Sequence, residues 1–234
     1  MPDMIFRRRR LPHQDVDGHP IFITACLNGS LSASGLSRIE NFRDELERRP
    51  VPTNMQRADW EHHKQKLLFA FVDRILDCES SVKYLESDAQ AEIVHNAFLH
   101  FANDRYKLYA FVVMPSHHHW LFLPDQSWSV NAIQKYRGVD GKPKSPREII
   151  SHSIQSYTAV MCNRLRGETG QYWQHETFDH WVRDEAELQR IIGYIEMNPV
   201  RAGLATTPEN YNWSSARIRS RLGLEPGQAI HKVA

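Results

Sequence analysis

The most constraining feature of the sequence lies near its middle. Residues 106–114 (YKLYAFVVM) and 118–123 (HHWLFL) are apolar, β-prone runs joined across a tight Pro115-Ser116 connection, which together read as a β-hairpin. The second strand opens on His117, His118 and His119. Strand side chains alternate between faces, so His117 and His119 project to one side with their rings close together while His118 points to the other. Two imidazoles so placed form a metal clamp suited to Mn, Fe, Ni, Cu or Zn, and less well to Mg. The competing reading is three ordinary histidines at a strand start, and an isolated H-x-H does not decide between them.

The remaining pattern supplies partners for the hairpin. Residues 19–27 (HPIFITACL) read as a buried first strand ending in the NGSLSASG turn. From residue 36 to about residue 101 apolar and charged residues recur at helical spacing, broken by Arg49-Pro50-Val51-Pro52. The clearest helix there is 88–100, with Asp88 as its cap. Residues 124–144 contain Gly138, Gly141 and Pro143 and read as a polar loop, and 145–165 as a helix ending at Gly167 to Gly170. Residues 172–182 suggest irregular structure or a short strand pair. Residues 184–198 form a helix capped by Asp184 with Glu187 and stopped by Pro199, and the basic stretch 214–222 is helical in pattern.

Bulk properties exclude several classes. The 234 residues suit one domain, here taken as 1–234, with a helical insertion at about 36–85 and a basic C-terminal tail at about 204–234. No apolar run can span a bilayer, and the basic N-terminus has no apolar segment after it, so no membrane partner is expected and the location is cytoplasmic. Cys26, Cys78 and Cys162 are odd in number and widely spaced, which suggests neither a disulfide framework nor a cysteine zinc site. A formal net charge of +1 gives no global attraction to nucleic acid, so any such binding must be local.

The last helix brings a second chemistry. Tyr194 and Asn198 are four residues apart and share a helical face, so a phenol and an amide oxygen could approach one site together. Pro199 disfavours helical geometry at Asn198 and so puts it at the end of the final turn. The alternative is that Tyr194 packs in the core beside Ile191, Ile192 and Ile195, with Asn198 as a C-cap.

Two segments resemble a known family. MPSHHHWLFLP is similar to the histidine hairpin of the HUH single-strand nucleases, and YWQHETFDHWVRDEAELQRIIGYIEMNPVRAGL resembles the tyrosine region of REP-associated tyrosine transposases. The resemblance runs from about residue 8 to residue 216. It implies an α+β, ferredoxin-like HUH fold: a central antiparallel sheet flanked by helices, with an inserted helical region. It further implies His117, His119 and Asn198 as ligands of a divalent metal (Mg or Mn) and Tyr194 as nucleophile. The enzyme so implied is a DNA endonuclease and strand transferase acting on single-stranded or hairpin DNA, as monomer or homodimer, through a 5′-phosphotyrosine that leaves a free 3′-hydroxyl. Three positions depart from the family pattern: His118 where an apolar residue is usual, and Gln155 and His175 where basic residues are expected.

A DNA groove must neutralise phosphate and offer rings for unstacked bases. Arg7, Arg8, Arg9 and Arg10, the loop residues Lys135, Arg137, Lys142 and Lys144, and Arg217, Arg219 and Arg221 are the candidate cations; Trp173, Trp181 and Trp213 are the candidate rings. A solvated surface accounts for each cluster equally well, and packing accounts for the tryptophans. No general base stands out among His118, His175, His180 and Glu196. Two other readings compete: a domesticated relative that grips hairpin DNA without cutting it, and a zinc hydrolase. The second has no third strong ligand near His117 and His119 and no H-E-x-x-H helix.

Overall fold

The structure is a computed structural model that describes residues 18–138, 141–175 and 177–231 in full, and residues 5–8 and 12–15 as strand backbone. Strands β1 (Ile5–Arg8) and β2 (Pro12–Asp15) form a separate antiparallel pair. The main sheet contains β3 (Ile21–Cys26), β4 (Tyr106–Val113), β5 (His117–Pro124) and β6 (Phe178–Trp181), in the order β4-β5-β3-β6 and antiparallel throughout.

Helices α1 (Ala33–Arg48), α2 (Arg57–Glu79) and α3 (Asp88–His100) connect β3 to β4. Helices α4 (Gln126–Lys135) and α5 (Pro146–Arg166) connect β5 to β6. Strand and helix therefore alternate as β-α-β-β-α-β with the first and third strands central, which is the ferredoxin-like arrangement expected from the sequence. Helices α1 and α2 occupy the stretch read from the sequence as a helical insertion and are separated by the proline-containing segment at residues 49–52. After β6 come α6 (Glu185–Glu196), the short α7 (Asn198–Arg201) and α8 (Ser215–Leu222).

Both faces of β5 are covered, which is why it is buried along most of its length. On one face Trp120 and Phe122 stack at 4.0 Å and meet Phe98 of α3, with Ile150 and Ile154 of α5 in the same cluster. Burying each such side chain contributes about 1.5–3 kcal/mol. On the other face Leu121 packs with Phe22, Val112, Leu188, Ile192 and Ile195, so α6 lies on that side. The histidines divide by the same alternation, His118 toward α3 and His117 and His119 toward α6.

Several boundaries differ from the sequence reading. The cap of α3 is Ser87 rather than Asp88. Residues 124–144 are not all loop: Asp125 accepts from the Trp128 backbone N–H at 2.8 Å and starts α4, whose Trp128 packs against the core. Helix α5 has a full capping box from Ser145 and Glu148, and it ends at Gly167 with φ of 66°, where a Cβ would be strained. Pro199 does not stop the chain's helical course. It sits in the first turn of α7, where its missing N–H costs nothing.

The C-terminal segment is not a free basic tail. Ser214 bridges to Val112, Ile230 bridges to Leu108 and is fully buried, and Tyr211 donates its hydroxyl to the Val113 carbonyl at 2.9 Å. Arg219 lies beneath it with every nitrogen engaged: Nε to Glu196 (3.1 Å), Nη1 to the Glu225 and Gln228 carbonyls, and Nη2 to the Tyr109 carbonyl (2.6 Å). Arg219 is thus a buried cross-link between α8, α6 and the edge strand, not the phosphate contact its basic neighbourhood suggested. Arg219→Ala, which strands Glu196, is expected to destabilise the fold by about 3–5 kcal/mol, read by urea denaturation.

Candidate functional site

His117 and His119 begin β5 between two neighbours. Thr24 and Cys26 of β3 stand opposite them on one side, and Val112 of β4 stands opposite His119 on the other. This inner position explains why both rings are fully buried. They meet edge-to-face with centroids 4.9 Å apart, the pairing that strand alternation requires.

The hydrogen bonds fix one tautomer. Ser116 Oγ gives its single proton to the Leu76 carbonyl of α2 at 3.1 Å, so toward His117 Nδ1, also 3.1 Å away, it can only accept. His117 therefore carries its proton on Nδ1 and presents a lone pair on Nε2. That Nε2 is buried and has no partner among the described residues. Burial, with the nearby His119 adding to it, pushes the His117 pKa down to about 3, so the ring is neutral. A neutral imidazole with an orphaned, inward lone pair is a metal ligand in waiting. On His119, Nδ1 is held by Thr24 Oγ1 at 2.8 Å, which aims Nε2 at the same space.

Into that space comes a residue the sequence reading missed. Asp73 of α2 is buried, and its Oδ2 lies 3.2 Å from His119 Nε2. Asn198 Nδ2 donates to the same oxygen at 3.2 Å and stands 3.0 Å from His119 Nε2. The Tyr194 hydroxyl also donates to Asp73 Oδ2. Burial alone would raise the Asp73 pKa. The charge and hydrogen bond of His119, with His117 and the Tyr194 hydroxyl, outweigh it and hold the carboxyl down at about 2. One turn further along α2, burial and the Asp73 charge push Asp77 up to about 6. Asp73 Oδ1 and Asn198 Oδ1 are buried without partners.

The donor atoms of Asp73, His117 and His119 all lie within 4.8 Å of one another. Among the described residues His117 Nε2 and Asp73 Oδ1 are buried acceptors without a partner, and buried acceptors of this kind are satisfied by a cation. The residues therefore fit a divalent ion, and Asp73 supplies the third strong ligand that the sequence alone did not offer. The nitrogen and oxygen donors together suit Mn better than Mg.

Tyr194 sits at the edge of this cluster. Its ring meets His119 edge-on at 5.9 Å and Phe22 at 6.2 Å, and the Arg201 guanidinium lies 4.2 Å over its face. Burial first, then the Asp73 charge, raises the Tyr194 pKa well above that of an ordinary phenol. The four-residue spacing of Tyr194 and Asn198 does bring both to the histidine pair.

Among solved structures, the chain superposes on a REP-associated tyrosine transposase bound to a REP hairpin. The TM-score is 0.51 at 16% identity, over 94% of this chain and 90% of that one. The fold is that of a REP-associated tyrosine transposase. No protein-family model matches the sequence, and no curated protein does.

Within this fold the other candidates scatter. Lys135 and Arg137 are exposed at the end of α4, and Arg217 is half-buried on α8. Arg7 and Arg8 fall in β1, where side chains lie outside the described residues, and Arg9 and Arg10 lie outside them entirely. Trp173 is core, donating Nε1 to Thr158 at 2.9 Å, and Trp213 donates to Asp88. His175 is exposed and Gln155 half-buried. Of the suggested bases, Glu196 is bound by Ser215 and Arg219, and His180 faces Glu187.

His118 neither reaches the surface nor finds a polar partner among the described residues. Both ring nitrogens are buried and unpaired, and the ring packs edge-on against Phe98 (5.0 Å) and Trp173 (4.9 Å). Burial, helped by His119 and His117, pushes its pKa down to about 3, so it serves as a neutral aromatic filler. His118→Leu removes two unsatisfied polar atoms at similar volume. It is expected to be neutral or to stabilise by up to about 2 kcal/mol, checked by chemical denaturation. Among the described residues no helix is long and apolar enough to cross a membrane.

Proposed function

We propose that the chain is a metal-dependent endonuclease and strand transferase for single-stranded hairpin DNA, acting through a covalent bond between Tyr194 and a 5′-phosphate. The observation that carries this reading is the convergence of the Tyr194 hydroxyl and the Asn198 amide on the buried His117, His119 and Asp73 cluster. The solved structure with the same fold, described as bound to a REP hairpin, supports the choice of DNA.

His117, His119 and Asp73 would hold the ion, with the Asn198 amide turned to present its oxygen. When bound, a divalent ion supplies positive charge for the phosphate oxygens in the transition state. The chain's own groups do the rest. Asp73 Oδ2 accepts the hydrogen bond of the phenol and so orients Tyr194 Oη, whose proton passes to solvent as the bond to phosphorus forms. Tyr194 Oη attacks phosphorus, an O–P bond forms, and the P–O3′ bond breaks. The upstream strand leaves as a 3′-hydroxyl, protonated from solvent, while the downstream strand remains on Tyr194. The phosphodiester energy is kept in that link, so a second 3′-hydroxyl can reverse the step and rejoin strands without ATP.

Room for substrate lies beside the phenol. A cavity of about 380 Å³ is lined by Phe22, Phe69, Ile191 and Tyr194 together with Lys66 and Arg190. Rings flanked by cations are what an unstacked base and its phosphate need. Arg201 over the Tyr194 ring is a further phosphate-neutralising group that the sequence reading did not single out.

The test is incubation of the protein with end-labelled hairpin DNA in Mn or Mg, followed by a denaturing gel. A protein–DNA band is expected. Tight hairpin binding with no such band in any metal would instead favour the non-cutting relative.

A further inference from the structure

Among the described residues a second group has metal-binding geometry: His62 on α2, His180 on β6 and Glu187 on α6. We propose that these three form a zinc site that fastens α2 to α6 beside Tyr194. His62 Nδ1 and His180 Nε2 each lie 3.2 Å from the same atom, Glu187 Oε1. Donors about 2.0–2.2 Å from a tetrahedral zinc stand about 3.3–3.5 Å from one another, so the two distances to Glu187 need only a few tenths of an ångström of adjustment, and all three donors lie within 4.8 Å of one another. The two rings cross at 84° with centroids 5.4 Å apart, close to the 75° and 4.9 Å of His117 with His119.

The surroundings favour a cation over a bare ion pair. The three side chains are 13%, 9% and 3% exposed, so the donors are largely withdrawn from water. Glu187 is oriented through its other oxygen, Oε2, which accepts from the Arg183 backbone N–H at 2.9 Å. That leaves Oε1 for the imidazoles, the type of outer support that metal carboxylates carry. Two histidines and one glutamate make three protein ligands and leave a fourth, open position. Both histidines and Glu187 line the cavity that Tyr194 also lines, so this position has access to water.

The register along the helices gives the site its consequence. His62 and Asp73 are eleven residues apart on α2, about three turns, and Glu187 and Tyr194 are seven apart on α6, about two turns. Each pair therefore lies on one stripe of its helix. The Asp73–Tyr194 contact and the His62–Glu187 contact are two successive links between the same two helices. A zinc ion at the second link holds the stripe that carries Asp73 against the stripe that carries Tyr194, while β6 adds His180 from the sheet.

The trio does not depend on the nuclease reading, and its test is separate. The metal-stripped full-length chain is titrated with Co²⁺, whose visible absorption reports tetrahedral ligation, and bound zinc is counted after dialysis. Wild type, His62→Ala and Glu187→Gln are compared, with circular dichroism to verify folding. His62 is the most exposed of the three, so its truncation disturbs packing least. Wild type is expected to retain one more equivalent of zinc than either variant, with the Co²⁺ absorption lowered by that equivalent and affinity for it reduced about 100-fold or more in His62→Ala. The His117–His119 cluster is present in all three proteins, so the difference isolates this site. Equal zinc content and unchanged Co²⁺ spectra in wild type and His62→Ala would overturn the proposal and leave the trio as a hydrogen-bonded His–Glu–His group.

Discussion

The Tyr194→Phe protein yields no covalent adduct with hairpin DNA on a denaturing gel, a loss of at least about 10³-fold. The variant keeps the ring that touches Phe22, His119 and the Arg201 guanidinium, so the packing of α6 against the sheet survives. Only Oη is removed, and with it the hydrogen bond to Asp73, worth about 1 kcal/mol of stability. Hairpin binding, measured by gel shift without metal, therefore persists. An adduct of undiminished yield in Tyr194→Phe would place the nucleophile elsewhere.

Asp73→Asn carries the second large effect. The side chain keeps its shape but loses the charge that faces His119, and an amide is a much weaker ligand for a hard divalent ion. Affinity for Mn²⁺, measured by calorimetry without DNA, is expected to fall on the order of 10–100-fold or more. Adduct formation should require correspondingly more Mn²⁺. The same substitution replaces the charged acceptor that orients the phenol with a neutral amide, so saturating metal restores only part of the rate. Unchanged metal affinity together with an unchanged rate would remove Asp73 from the site.

How much of this was legible beforehand differs by element. For the β5 histidines and the α6 tyrosine, periodicity fixed only which residues share a face, by alternation for His117 and His119 and by a four-residue step for Tyr194 and Asn198, and the family resemblance gave them their roles. The strands around them followed from the same pattern. Asp73 was not readable as a ligand, because only the packing of α2 decides which of its residues reach the sheet. A signal did exist. Asp73 stands in the apolar run Leu67–Leu76, between the buried Val72 and Ile75, and an acid on a core stripe needs a partner.

Other differences have equally local causes. The glycines and proline of residues 138–143 drew attention to a loop and hid the Asp125 cap of α4. The basic run at residues 217–221 suggested a uniform surface, yet residues 215, 216 and 219 fall on one helical face and turn Arg219 inward. The burial of Ile230 against Leu108 is a long-range pairing that a single isoleucine cannot announce. The trio of His62, His180 and Glu187 has no motif spacing, since its members come from three separate elements.

The most direct test is to digest the protein–DNA adduct with nuclease and protease and to weigh the peptide that contains Tyr194. Its mass should be increased by a 5′-linked nucleotide remnant, with fragment ions that place the added phosphate on the phenol. A peptide carrying Tyr194 unmodified, with the nucleotide found on another residue, would contradict the proposal that this phenol attacks DNA beside the His117, His119 and Asp73 cluster.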